Sequence, residues 1–90
     1  MSPEERRSRG DEAKRLLESK LWLEAWDSVR AVMLRKLEDL PQEDAQSVMG
    51  AKAVLSGMRL ARQYMERVVA DGVVAVKEIE QAERAKRIKR

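Results

Sequence analysis

Apolar residues recur along most of this chain at steps of three and four, and the phase of that recurrence shifts near residue 20. From Leu21 onward the stripe runs Trp22, Ala25, Trp26, Val29, Val32, Met33, Leu37 and Leu40. These i, i+3, i+4, i+7 steps place one apolar face on a helix. The earlier apolar residues, Ala13, Leu16 and Leu17, fall nearly opposite that stripe at about 100° per residue. One straight helix cannot turn both sets toward the same neighbour. The pattern therefore predicts a short helix over 12–18, capped by Gly10-Asp11, then a break or kink at Ser19-Lys20 with Ser19 as the N-cap of the next helix; the alternative is one unbroken helix with two apolar faces. Residues 1–10 read as a flexible basic N-terminus.

Leu40-Pro41-Gln42-Glu43-Asp44 punctuates the chain. Proline disfavours helical geometry at the residue before it, so the first arm, 11–40, should end near Asp39. A turn over 41–44 follows, and Glu43 and Asp44 suit the positive end of a new helix. Its stripe is Ala51, Val54, Leu55, Met58, Ala61, Met65, Val68 and Val69. Asp71-Gly72 resembles a helix end, yet the stripe continues in phase through Val73, Val76 and Ile79. One glycine inside a helix costs only about 1 kcal/mol. The second arm, 45–83, should therefore be one long helix that runs on toward Arg87, with a basic tail over 84–90.

The fold expected is all-α: a single domain, 1–90, shaped as an antiparallel helical hairpin with a short N-terminal helix and a long second helix. Folding the arms about Pro41 sets Met33 against Gly50 and Ala51, Val29 against Val54, Trp26 against Gly57 and Met58, and Trp22 against Ala61. Small residues then fall where large ones need room. The second arm outruns the first, which leaves Val73, Val76 and Ile79 without a partner in the chain. A weaker stripe, Met49, Ala53, Leu60 and Tyr64, lies on the far side of the second arm, matched by Leu23, Ala31 and Leu34 on the first. Met49, Leu60, Tyr64, Val73, Val76 and Ile79 are thus the candidate protein-contact residues.

Composition narrows the chemistry. Ninety residues make one small domain, marginal as a monomer. Histidine and cysteine are both absent. That removes thiol chemistry, disulfides, the usual zinc sites and the commonest general base. Glu78, Glu80 and Glu83 alternate with cations as a solvated helix face. Ser19, Ser28, Ser47 and Ser56 have no histidine to activate them. Neither Met49-Gly50 nor Ser56-Gly57 sits in a phosphate loop. The expectation is a protein that is not an enzyme and has no catalytic, cofactor or metal site and no small-molecule substrate. No apolar run approaches the roughly 20 residues that span a bilayer, and the N-terminus lacks the apolar core of a signal peptide. No membrane anchor is expected.

Net charge is +3, from 19 basic and 16 acidic residues, so distribution matters more than the total. Glu38, Asp39, Glu43 and Asp44 crowd the turn. Arg6, Arg7, Arg9, Arg84, Lys86, Arg87, Lys89 and Arg90 crowd the two ends and are the candidate contacts to an acidic partner or to phosphates. The tail holds no aromatic residue, which disfavours a stacking platform for single strands.

The order Arg9-Gly10-x-x-Ala13-x-x-Leu16-Leu17, Leu23-x-Ala25, Leu40-Pro41-x-x-Asp44, Leu55 and Val68-Val69-Ala70-Asp71-Gly72 resembles a group of small helical proteins of tailed bacteriophages, encoded among head-assembly and DNA-packaging genes. The resemblance covers about residues 9–80. Where such proteins tend to carry a proline, this chain has Lys20, which agrees with a helix start there. The resemblance implies a virion or assembly role, partners that are further copies of the chain or larger head or portal proteins, and a location in the host cytoplasm during assembly or in the virion. It transfers no catalytic residue. A second likeness is to the oligomerisation hairpin of small terminase subunits, which implies a DNA-binding packaging accessory as the alternative. The stretch ahead of the hairpin is too short for the separate helix-turn-helix domain usual there, and none is expected. A helical regulator that binds a host protein is a further alternative.

Overall fold

A computed structural model describes residues 1–41 and 44–88 and shows an all-helical chain. Three helices follow in order: α1 (Pro3–Glu18), α2 (Lys20–Asp39) and α3 (Ala45–Ile88). No strand occurs among the described residues.

Each start is capped by a local side chain. Ser2 Oγ accepts from the Glu5 amide at 3.2 Å. Pro3 follows at the first helical position, where its missing N–H costs nothing, and Glu4 and Glu5 fill the first turn. Ser19 is extended (φ −68°, ψ 121°) and its side chain accepts from the Trp22 amide. That is the expected break between α1 and α2, with the expected cap. α2 ends at Asp39 because Leu40, ahead of Pro41, is extended (φ −74°, ψ 135°). Asp44 Oδ1 accepts from the Ser47 amide at 3.1 Å and opens α3.

Two features of the N-terminal reading are corrected. Helix α1 begins at Pro3 rather than Glu12, so residues 3–10 are helical. Gly10 is no cap; it lies buried inside α1. Its conformation is ordinary, since no glycine among the described residues has a positive φ. What Gly10 supplies is space, as shown below. Gly72 likewise lies inside α3, which runs 44 residues without a break, as the continuous stripe implied.

The chain divides into two compact units: Met1–Leu17 together with α3 from Tyr64 onward, and Glu18–Gln63. In the first unit α1 lies on the C-terminal part of α3. Arg6 reaches Glu78 while Arg9 reaches Tyr64, so the two helices run in opposite directions. They meet at Gly10 and Gly72, where a Cβ built on either would stand 2.9 Å from the other's Cα. Ala13 and Ala75, three residues beyond each glycine, are 3% and 0% exposed. Two G-x-x-A stretches thus let two helix backbones touch.

In the second unit, Met33, Lys36 and Leu40 of α2 line a cleft with Ser47, Gly50, Ala51 and Val54 of α3. Met33, Gly50 and Ala51 thus line one cleft. The space-making role expected of Gly50 and Gly57 is not present. Both are exposed, and a Cβ on either would meet nothing within 4 Å. Trp22 and Trp26, one turn apart on α2, meet edge to face with ring centroids 5.7 Å apart.

Candidate interaction surface

The first physical fact about this surface is how little apolar material lies beneath it. Among the described residues, the buried hydrophobic side chains are Ala13, Ala51 and Ala75, and no large side chain is fully enclosed. The accessible surface is 7524 Å² for 10.4 kDa, where a compact monomer of that mass exposes roughly 5400 Å².

Of the candidate contact residues, Met49 and Leu60 stand out at 69% and 61% exposed, and Tyr64 and Val73 are also exposed. Val76 and Ile79 are half-buried. Their expected lack of an intrachain partner followed from starting α1 at Glu12. The additional turns of α1 reach this stretch of α3. Tyr64 is tied down as well: its hydroxyl accepts from Arg9 Nη2 at 3.2 Å, and the Arg67 guanidinium lies 6.0 Å from its ring centroid.

The basic residues separate into two groups. Arg6 faces inward across the α1–α3 contact. Its guanidinium donates through Nε and Nη2 to Asp71, the closest approach being 2.7 Å, and through Nη1 to Glu78 at 2.7 Å. Only 19% of its side chain is accessible. Hydrogen bonding by the Asp71 and Glu78 carboxylates holds its proton more firmly than usual, and the Arg6 hydrogen bonds pull Asp71 below its ordinary value. Arg6 is a structural clasp, and Arg9 is engaged with Tyr64. Arg6 is thus largely taken up within the chain, while Arg9 remains exposed. Arg7, Arg84, Lys86 and Arg87 are exposed; Lys89 and Arg90 lie outside the described residues, as does Glu43.

Sequence reading missed one surface. Arg30 and Leu34 of α2, with Lys52, Leu55, Ser56, Met58, Arg59 and Arg62 of α3, line a groove of about 440 Å³. Arg30, Lys52 and Arg59 are scattered singly along the chain and form no charge run. Only the approach of two helices collects them. Among the described residues, no group of three or more metal-ligating side chains comes together, and no helix is long and apolar enough to cross a membrane.

The fold and surface define the chain as a small all-helical protein with a thin interior. No family model matches it, and no curated protein or solved structure is detectably similar.

Proposed function

We propose that this chain is a non-enzymatic assembly protein of the tailed-phage type, working as a building block that associates with further copies of itself and through them with larger head or portal components. α2 and the first half of α3 act in it as an antiparallel hairpin, and α1 braces the far end of α3. One observation carries this reading. Among the described residues, the buried hydrophobic side chains are three alanines, while Leu21, Trp22, Val29, Val32, Leu34, Met49, Val54 and Leu60 are exposed. Ordering a residue's backbone costs about 1–2 kcal/mol, and small side chains return little of that on burial. A second copy that covers these residues supplies the missing apolar burial, and stability becomes linked to association. The phage setting rests on the sequence resemblance of residues 9–80, with its break near residue 20 and its proline turn.

The direct test is molar mass by light scattering over a range of concentrations. The reading expects a mass well above 10.4 kDa that falls on dilution. A constant monomer mass at high concentration would remove it.

A further inference from the structure

The groove on the Glu18–Gln63 unit has a mixed apolar and cationic lining. Leu34, Leu55 and Met58 supply apolar surface; Arg30, Lys52 and Arg59 supply charge, with Arg62 and Ser56 completing the lining. Among the described residues, every charged group in that lining is a cation. Arg30, Leu34, Lys52 and Arg59 are all exposed. A fitting occupant must therefore present apolar contact and negative charge at once.

We propose that this groove receives the acidic face of α2 from a second copy of the chain. That face consists of Lys20, Leu23, Glu24, Asp27 and Ala31, with Ser28 at its edge, so its two carboxylates outweigh one lysine. On a helix, positions i, i+1, i+4 and i+8 share one side. It carries two apolar contacts and two carboxylates, the complement of the groove. The lengths agree as well. Leu23 to Ala31 spans about 12 Å and Lys52 to Arg59 about 10 Å at 1.5 Å per residue. Met58 adds an adaptable side chain where a helix must seat. A nucleic acid would use the cations but not Leu34, Leu55 and Met58, and the groove has no aromatic ring on which a base could stack.

The two faces share no residue. If two copies exchange them reciprocally, the contact closes as an isologous dimer; if each copy offers its acidic face to one neighbour and its groove to another, repetition gives a ring or an open filament. This inference rests on the self-association proposed above and assigns its interface.

Charge reversal tests it on the full chain. Lys52→Glu with Arg59→Glu makes the groove acidic; Glu24→Lys with Asp27→Lys makes the α2 face basic. Like charges then meet in either homotypic assembly, and the dissociation constant by sedimentation velocity should rise about tenfold or more in each. An equimolar mixture of the two variants should regain association, because each reversed face then meets a complementary one. Far-UV circular dichroism should be unchanged, since all four side chains are exposed. If a reversal lowers helicity, Lys52→Gln with Arg59→Gln should show a smaller loss of the same sign. Unaltered association in either reversed variant, or a mixture that fails to recover, overturns the interface while leaving self-association standing. A wild-type chain that never associates overturns both. So does a monomeric wild type that binds a short DNA duplex through Lys52 and Arg59; that outcome would give the groove to nucleic acid.

Discussion

The Cα of Gly72 lies 2.9 Å from the point where a Cβ on Gly10 would stand, and the reverse distance is also 2.9 Å. Real Cβ atoms do not approach backbone so closely, so α1 and α3 can cross here only because both residues lack one. A methyl group on Gly10 would also press on the Val68 carbonyl oxygen at 3.3 Å, and one on Gly72 on that of Arg6 at 3.3 Å. Backbone is the obstacle in each case, and backbone cannot swing aside as a flexible side chain can.

Gly10→Ala and Gly72→Ala should therefore each be destabilising despite the helix preference for alanine. Overpacking of this kind costs about 1–3 kcal/mol, against a gain of up to about 1 kcal/mol in helix propensity. Gly50→Ala and Gly57→Ala should do the opposite. Both lie in α3 with open space where the methyl group would go, so each should stabilise by about 0.5–1 kcal/mol. Thermal melts of the four variants check this, and the opposite signs separate a packing effect from a propensity effect.

The Arg6 clasp sets an acid limit on the same contact. Asp71 is held below its ordinary value of 3.8, first by its hydrogen bonds from Arg6 and then by the charges of Arg6 and Arg9. The folded chain therefore holds fewer protons than the unfolded chain in the window just below that ordinary value. Stability from this pair is present above about pH 4 and is lost as pH falls through the lowered value. Asp71→Asn should lower stability at neutral pH and flatten the fall on the acid side. Urea unfolding at pH 7 and pH 3 measures both, and an equal loss at the two pH values would contradict the assignment.

The helix starts depend on single side chains. Asp44→Ala and Ser19→Ala each remove an acceptor for a helix N-terminal amide, at a cost of about 1 kcal/mol. The Asp44 bond is the shorter, 3.1 Å against 3.4 Å, so Asp44→Ala should lower the melting midpoint more. The Ser19 cap was legible in the sequence, because Ser19 precedes an apolar stripe at its change of phase; Asp44 was legible only as a charge at the positive end of the next helix. The start of α1 was less so. Arg6, Arg7 and Arg9 carry no apolar periodicity, and Gly10-Asp11 reads locally as the cap of a helix that starts later. Tertiary contact decides the matter: Gly10 fits only against Gly72, 62 positions away, and Arg6 is paired with carboxylates 65 and 72 positions distant. The basic groove was hidden for the same reason, since its cations come from different turns of two helices.

The tryptophans offer a probe of the proposed assembly. Trp22 is 40% exposed and Trp26 half-buried, so neither ring is fully enclosed within one chain. Truncating an enclosed tryptophan to alanine costs about 3–5 kcal/mol. In a single chain the loss should fall below that range. If a second copy covers this face, emission should shift to shorter wavelength as concentration rises, and Trp26→Ala should weaken association as well as folding. Fluorescence across a dilution series, with Trp22→Phe to isolate Trp26, reads both effects.

The central claim is that association completes the interior of this chain. The most direct measurement is the thermal midpoint of the full chain across a hundredfold range of concentration. Linkage between folding and association predicts a midpoint that climbs steadily with concentration. A midpoint that stays the same at every concentration, with one cooperative transition and a mass fixed at 10.4 kDa, would contradict it.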